Sequence, residues 1–239
     1  MTHEQKGAVL VTGASSGIGL AITRQLLECG FSVHGIARDF SKADISHANF
    51  LSTELDLASA DAIQAGLPPL LKSLDRPLRA VVNNAGIGKM GYLEQLSVAD
   101  IQSVLAVNLL SHILISRLCL PVMKQRSVLS DLIFIGSEAA LTGGKEGSVY
   151  CASKFGLRGF AQSLRLECAK SEIRVSLINP GAVRTAFFDD LHFEPGDRAE
   201  NAIQPEDVAA TVLSILAMRG GTVVDEINLS PRKRVWQSK

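Results

Sequence analysis

Two textures of apolar residues alternate along the chain. Short runs rich in β-branched residues lie near 8–12, 32–37, 49–55, 79–83, 131–136, 173–178 and 222–229. Between them come stretches of helical periodicity near 17–29, 59–74, 97–125, 148–170 and 205–218. Strand-length runs with no polar side, alternating with helices, predict a parallel sheet covered on both faces. The expected fold is therefore α/β, a doubly wound, Rossmann-like parallel sheet of about seven strands with helices on both faces. Pro68-Pro69 falls inside the second helical stretch and is expected to break or end it. No Gly/Ser/Pro-rich linker, repeat or low-complexity block divides the sequence, so residues 1–239 are expected to form one domain.

Polar clusters stand at the ends of several of the strand runs. Ala8-Val9-Leu10-Val11-Thr12 leads into Gly13, Ala14, Ser15, Ser16, Gly17, Ile18 and Gly19, followed at once by a helix. Strand, glycine turn and helix in that order make a phosphate site, because glycines let the backbone approach a pyrophosphate and the helix N-terminus offers free N–H groups. The spacing is G-x-x-x-G-x-G, and no lysine follows the last glycine, which excludes a Walker loop. Three further runs end in Asn83-Asn84-Ala85-Gly86, in Gly136-Ser137 and in Asn179-Pro180-Gly181. Each cluster alone reads as a turn. In an open parallel sheet all four gather beyond the carboxyl ends of the strands, where ligands bind.

Tyr150 and Lys154 stand one helical turn apart, and Ser137 precedes the tyrosine by thirteen residues. Residues four apart share a helix face, so the phenol and the ammonium point into the same space. A neighbouring cation favours the phenolate and is expected to lower the phenol's pKa from its usual value near 10, making it usable for proton transfer.

Taken together, Thr12-Gly13…Gly17-Ile18-Gly19, Asn83-Asn84-Ala85-Gly86, Asn108, Ser137, Tyr150…Lys154 and Pro180-Gly181 resemble the short-chain dehydrogenase/reductase family, in order and spacing over essentially the whole chain. The resemblance implies an enzyme that transfers a hydride between a nicotinamide cofactor and an alcohol or carbonyl. It makes Tyr150 the proton donor or acceptor, Ser137 the group that holds the substrate oxygen, and Lys154 the residue that tunes the tyrosine and holds the nicotinamide ribose. It makes Asn108 the support of a water chain to the lysine; a buried helix asparagine could instead cap a local kink. For the cofactor it implies Gly13, Ser15, Ser16, Gly17, Ile18 and Gly19, then Asp56 at the adenine amino group with Leu57, then Asn84, Ala85 and Gly86. Pro180, Gly181, Val183 and Thr185 complete the set, with the threonine orienting the carboxamide. Asp56 could equally be a helix N-cap.

Cofactor choice turns on the end of the second strand. A carboxylate there bonds the ribose 2′-hydroxyl of NAD. This sequence has Ala37 at the corresponding position and Arg38 after it, and a guanidinium suits a 2′-phosphate. Arg38 thus argues for NADP over NAD, while Asp39 could reach back to the ribose or pair with Arg38.

Substrate determinants are expected in a loop near 186–204, where Phe187, Phe188 and Phe193 suggest an apolar lid and Phe187 and Phe188 are the candidate substrate contacts. Arg184 and Arg198 could bind a carboxylate or be solvated charges. The tail, lacking a glycine pair before its end, resembles family members that act on small 3-hydroxy acids, hydroxy-amino acids or assorted small carbonyls. Other readings kept open are a 3-oxoacyl reductase, an NAD-dependent dehydrogenase, and a non-catalytic dinucleotide sensor or scaffold.

Composition adds exclusions. Twenty-four basic and 24 acidic residues balance, so no nucleic-acid partner is expected, and Arg232-Lys233-Arg234 reads as a solvated terminus. Met1 to Lys6 are polar, so no signal peptide is expected. The apolar stretch from Ile101 to Val122 is interrupted by Asn108, Ser111, His112, Ser116 and Arg117 and reads as a buried or interface helix, not a membrane span. Cys29, Cys119, Cys151 and Cys168 have no metal or redox spacing and suit a reduced cytoplasm, although Cys151 beside Tyr150 could be reactive. His3, His34, His47, His112 and His192 form no ligand pattern, so no metal is expected. Leu109, Ile113, Leu118, Phe155, Leu157, Phe160 and Leu164 exceed one core-facing stripe and predict a homodimer or homotetramer through the two long helices.

Overall fold

The structure is a computed structural model that describes residues 6–125 and 128–239; the polar start of the chain, with His3, lies outside them. In chain order the elements are β1 (Ala8–Thr12), α1 (Gly17–Glu28), β2 (Ser32–Ala37), β3 (Phe50–Glu54), α2 (Ala60–Lys72), β4 (Leu78–Asn83), α3 (Val98–Leu105), α4 (Ser111–Gln125), β5 (Ser130–Ile135), α5 (Ser148–Cys168), β6 (Ile173–Pro180), β7 (Phe193–Pro195), α6 (Pro205–Ala217), β8 (Glu226–Leu229) and β9 (Trp236–Ser238). Seven strands pair in parallel in the order β3-β2-β1-β4-β5-β6-β8. The order reverses between β1 and β4, and a doubly wound sheet opens its crevice at that switch point.

The helices divide between the faces as their apolar stripes require. Ile63 and Leu67 of α2, Ile115 and Cys119 of α4, and Leu157 and Leu164 of α5 pack with Leu10, Leu132 and Phe134 on one face. Ile22 and Leu26 of α1 and Val208 and Val212 of α6 pack with Val9, Val11 and Ile133 on the other. β1, β5 and β6 are buried along their whole length; β1 and most of β5 read as apolar runs, while in β6 the alternating polar residues Arg174 and Ser176 are buried as well. Each fully buried aliphatic or phenyl side chain contributes roughly 1.5–3 kcal/mol.

Three expectations about the elements need correction. α2 runs straight through Pro68 and Pro69. Leu67, Leu70 and Leu71 are buried on either side of the pair, and the Ser73 hydroxyl donates to the Leu70 carbonyl at 2.8 Å, so packing and a closing bond hold a last turn that proline alone would loosen. The expected helix over 97–125 is interrupted by a π turn at Ala106–Leu110 with Asn108 at its centre. The last sheet strand begins at Glu226, not 222, because the Thr222 carbonyl is drawn to the Arg174 guanidinium at 3.1 Å. The run Val98–Gln125 is long and apolar enough to cross a membrane, but Val104, Ile115, Cys119 and Met123 along it are buried in this fold.

At the amino ends of the strands, Asp131 of β5 is completely buried between Arg79 of β4 and Arg174 of β6. Arg174 grips it with two bonds, at 2.7 and 2.9 Å, and also donates to the carbonyls of Ile215, Met218 and Thr222. Removing one member of a buried pair leaves an uncompensated charge and costs roughly 3–5 kcal/mol. Asp131→Ala is accordingly expected to lower the stability measured by urea unfolding by that amount, and an unchanged midpoint would refute the role given to this cluster.

Candidate active site

The glycine turn, the asparagine turn and the helix bearing Tyr150 meet in one cleft of about 1120 Å³. Its lining includes Gly13, Ser16, Gly17, Ile18, Arg38, Asn84, Ala85, Gly86, Ser137, Tyr150, Lys154, Gly181, Val183, Thr185, Phe187 and Phe188. Ser15, Gly19, Asp56, Leu57, Asn108 and Pro180, also candidates, do not line it. Leu57 is buried, and Asp56 is exposed with its carboxylate accepting from Ala58 N–H at 2.9 Å; the N-cap of α2 is Ser59, not Asp56.

Sequence makes the turn tight at two glycines. Gly13 has φ +66°, a conformation that side chains rarely adopt. Gly19 lies so close to the turn that a Cβ would meet the Gly13 carbonyl oxygen at 2.0 Å. The first turn of α1 carries no acid, so its free N–H groups and positive dipole face the cleft unopposed. Thr12 and Asn84 then stitch the two central strands together. The Thr12 hydroxyl accepts from the N–H groups of Asn84 and Ala85 at 2.9 and 3.0 Å, and the Asn84 amide donates to the Thr12 carbonyl at 2.9 Å.

Arg38 opens into the cleft at the end of β2, and no ion pair among the described residues involves it. Asp39 neither pairs with it nor reaches back. Its carboxylate accepts from the Ser41 N–H and hydroxyl at 2.7 and 2.9 Å, and those bonds hold it below the usual carboxylate range.

α5 buries both Tyr150 and Lys154, at 8% and 4% exposure, on the face turned to the cleft. The Lys154 ammonium is 5.8 Å from the centre of the Tyr150 ring and donates to the Ile135 carbonyl at 3.1 Å. Burial pushes this ammonium down to about 8. The expected lowering of the phenol is not what this geometry gives: burial pushes Tyr150 up to about 12, while its contact with the Ser137 hydroxyl pulls the other way. At neutral pH the phenol therefore keeps its proton. Ser137 stands just past β5, its N–H directed to the Asn179 side chain at 3.3 Å.

Asn108 is fully buried in the π turn and both ends of its amide are engaged. Its oxygen accepts from Ile87 N–H at 2.8 Å, and its nitrogen donates to the Ile87 carbonyl at 3.0 Å and the Ser153 hydroxyl at 3.3 Å. The Ser153 hydroxyl in turn donates to the Tyr150 carbonyl at 2.6 Å. The asparagine therefore sits in a helical irregularity, as the alternative reading expected, and ties the asparagine-rich turn to α5. The sequence reading passed over His112, one turn on. It is fully buried, burial drives its pKa down to about 3, and its neutral ring donates from Nε2 to the Ala85 carbonyl at 2.8 Å. Its signal was the four-residue spacing from Asn108.

The outer wall departs most from expectation. Arg232-Lys233-Arg234 is not a free solvated end: Arg232 and Lys233 pair with Glu200, and Arg234 pairs with Glu138. β9 forms an antiparallel ladder with β7 inside the phenylalanine loop, and Arg234, Trp236 and Ser238 line the cleft. Arg184 is committed to the carbonyls of Gly196 and Arg198 at 2.7 and 3.4 Å, and neither Arg184 nor Arg198 lines the cleft.

Comparison with known proteins agrees with this arrangement. The family model described as short chain dehydrogenase matches residues 7–194. A sepiapterin reductase of Chlorobaculum tepidum is 29% identical, over 95% of this chain and 96% of its own. A 3-oxoacyl-[acyl-carrier-protein] reductase of Bos taurus is 34% identical over 77% of this chain and 78% of its own. Among solved structures, an alcohol dehydrogenase from Thermococcus sibiricus complexed with 5-hydroxy-NADP superimposes with a TM-score of 0.85 at 25% identity, covering 96% of this chain and 99% of that one. Fold, ordered motifs and family match together make this chain a member of the short-chain dehydrogenase/reductase family of oxidoreductases.

Proposed function

We propose that the protein is a single-domain, NADP(H)-dependent oxidoreductase that interconverts a small carbonyl compound and its alcohol. One observation carries this reading: a buried phenol and a buried ammonium, one helical turn apart, share a cleft with a glycine turn and an arginine that is in no ion pair among the described residues. The cleft fits a dinucleotide. Gly13, Ser16, Gly17 and Ile18 would hold the pyrophosphate, Arg38 the 2′-phosphate, and Asn84, Ala85, Gly86, Gly181, Val183 and Thr185 the remainder. When bound, the nicotinamide supplies the hydride.

The chain's own groups handle the proton and the charge. Tyr150 holds its proton at neutral pH and is the donor to a substrate oxygen during reduction. Ser137 is placed to bond that same oxygen and stabilise the charge that develops on it. Lys154, its charge held in a buried site, would bind the nicotinamide ribose and favour the phenolate left behind. Asn108 fixes Ile87 and, through Ser153, the backbone of Tyr150, so the two walls of the site keep their spacing. Four free thiols support a reducing cytoplasmic setting.

The same reading extends to assembly. Leu157 and Leu164 belong to the core, and Leu109, Leu118 and Phe160 pack partly against it. The apolar surface left over on these elements includes Leu105, Leu110 and Phe155, at 38%, 44% and 44% exposure. They lie on α3, the π turn and α5, which pack beside one another, and such a patch suits a second copy of the chain.

Tyr150→Phe is expected to lower turnover of a carbonyl substrate with NADPH by at least about a hundredfold while leaving cofactor binding nearly unchanged. Near-normal turnover would remove Tyr150 from the mechanism, and cofactor binding with no turnover of any carbonyl in a broad panel would favour a sensor or scaffold. A guanidinium–phosphate contact contributes about 1.5–3 kcal/mol, or roughly ten- to a hundredfold. Wild type should therefore prefer NADPH over NADH by at least about tenfold in kcat/KM, and the Ala37→Asp, Arg38→Leu double variant should shift the preference toward NADH; equal use of both by wild type would show that Arg38 does not read the phosphate. Light scattering at micromolar concentration should report a dimer or tetramer, and a monomeric mass would refute the interface.

A further inference from the structure

The space in front of Tyr150 is walled by a chain of aromatic rings that the motifs do not account for. Phe187 lies 5.8 Å from Tyr150, Phe188 5.3 Å from Phe187, and Trp236 5.9 Å from Phe188, each measured between ring centres. Phe193 closes the set, 6.1 Å from Phe188 and 5.3 Å from Trp236. The rings meet at mutual angles of 56° to 84°: three pairs are edge-to-face, an arrangement aromatic groups prefer, and the Tyr150–Phe187 and Phe188–Trp236 pairs are tilted. Trp236 comes from the C-terminal segment and is held in place by backbone and side chains together. Pro195 and Trp236 are partners in the β7–β9 ladder, the Gly196 N–H donates to the Val235 carbonyl at 3.0 Å, and the Gln237 side chain donates to Glu194 and Asp197 at 3.1 and 3.0 Å. Trp236 nevertheless keeps 43% of its surface exposed while lining the cleft.

Charge at this mouth is equally specific. Of the cations that line the cleft, Arg234 is paired with Glu138, and Lys145 lies over the Tyr92 ring and near Glu146. Lys89 is in no ion pair among the described residues, Lys154 is buried behind the tyrosine, and Arg38 stands at the dinucleotide end. Glu138, Glu146 and Asp190 line the same mouth. Arg234 and Lys145 are matched by Glu138 and Glu146, and Lys89 is offset in number by Asp190, so an incoming carboxylate would meet a mouth of balanced charge.

We propose, on the reading of the site as a carbonyl reductase, that its substrate is an uncharged ketone or aldehyde bearing a flat aromatic ring, and that Trp236 in the C-terminal segment is a specificity-determining wall against which that ring packs. The resemblance of the tail to members acting on small 3-hydroxy acids is outweighed by the aromatic lining of the chamber it builds, whose mouth offers no net positive charge. An aromatic guest extends the existing ring contacts and covers apolar surface that now faces water.

Trp236 is the chain's one tryptophan, which makes it its own reporter. Four probes separate ring from charge: 1-phenylpropane-1,2-dione, butane-2,3-dione, benzoylformate and 2-oxobutanoate. With NADPH, kcat/KM for the neutral aryl diketone should exceed that for each of the other three by at least about tenfold. With NADP+ bound, the aryl diketone should change tryptophan emission saturably, after correction for absorbance, and 2-oxobutanoate should not. Trp236→Ala should lower the ratio of aryl to non-aryl diketone efficiency by at least about tenfold, and Trp236→Phe should restore most of it. A preference for either oxo acid, or an unchanged ratio in Trp236→Ala, would overturn the proposal while leaving the reductase reading intact. A saturable emission change with no oxidation of NADPH by any probe would uphold the aromatic wall and overturn the reductase reading together with the substrate class built on it.

Discussion

The hydroxyl of Thr12 is the smallest group on which the site depends. It accepts two backbone N–H groups from the turn after β4, and the Asn84 side chain returns the favour to the backbone after β1. These are the two strands between which the sheet changes direction, so no connecting segment fills the gap beyond them. Without an internal partner, those turn amides would have to find water inside a crevice that must stay open for a ligand. Satisfying them from within lets the crevice remain both open and rigid. The same logic repeats deeper in, where Asn108 satisfies both polar groups of Ile87, and His112 the carbonyl of Ala85.

The fold was legible because its five inner strands are buried on both faces, and burial on both faces favours long apolar runs. Six of the seven sheet strands and the glycine turn lie where those runs put them, and the seventh starts four residues late. What resisted reading was set by tertiary contact. A proline pair usually ends a helix, and here buried leucines on either side of Pro68 and Pro69 outweigh that preference. Asn108 was legible as a motif residue, but nothing local announces that the helix around it widens into a π turn.

The outer wall was least legible. Val235-Trp236-Gln237 has no apolar period, and Arg232-Lys233-Arg234 looks like any solvated basic run. Their meaning lies in partners some 30 to 100 residues away, Glu200 and Glu138 among them. The phenol's pKa is a related case. Spacing predicts a helpful lysine, but spacing carries no information about burial, and burial is the larger influence on Tyr150 in this geometry. The lysine itself turns toward the Ile135 carbonyl.

The buried Arg79–Asp131–Arg174 cluster and the candidate site occupy opposite ends of the same strands. β5 starts beside Asp131 and ends just before Ser137, and β6 runs from near Arg174 to Pro180. At roughly 3.3 Å per residue the two ends are about 20 Å apart, beyond the distance over which substitutions usually influence one another. The molecule thus keeps its anchor and its chemistry on separate accounts of sequence. Residues at the mouth can drift, and with them the compounds that are accepted, without loosening the charges that hold the sheet's far edge to α6. Such a division leaves room for new specificities to arise from one scaffold by changes confined to a single end.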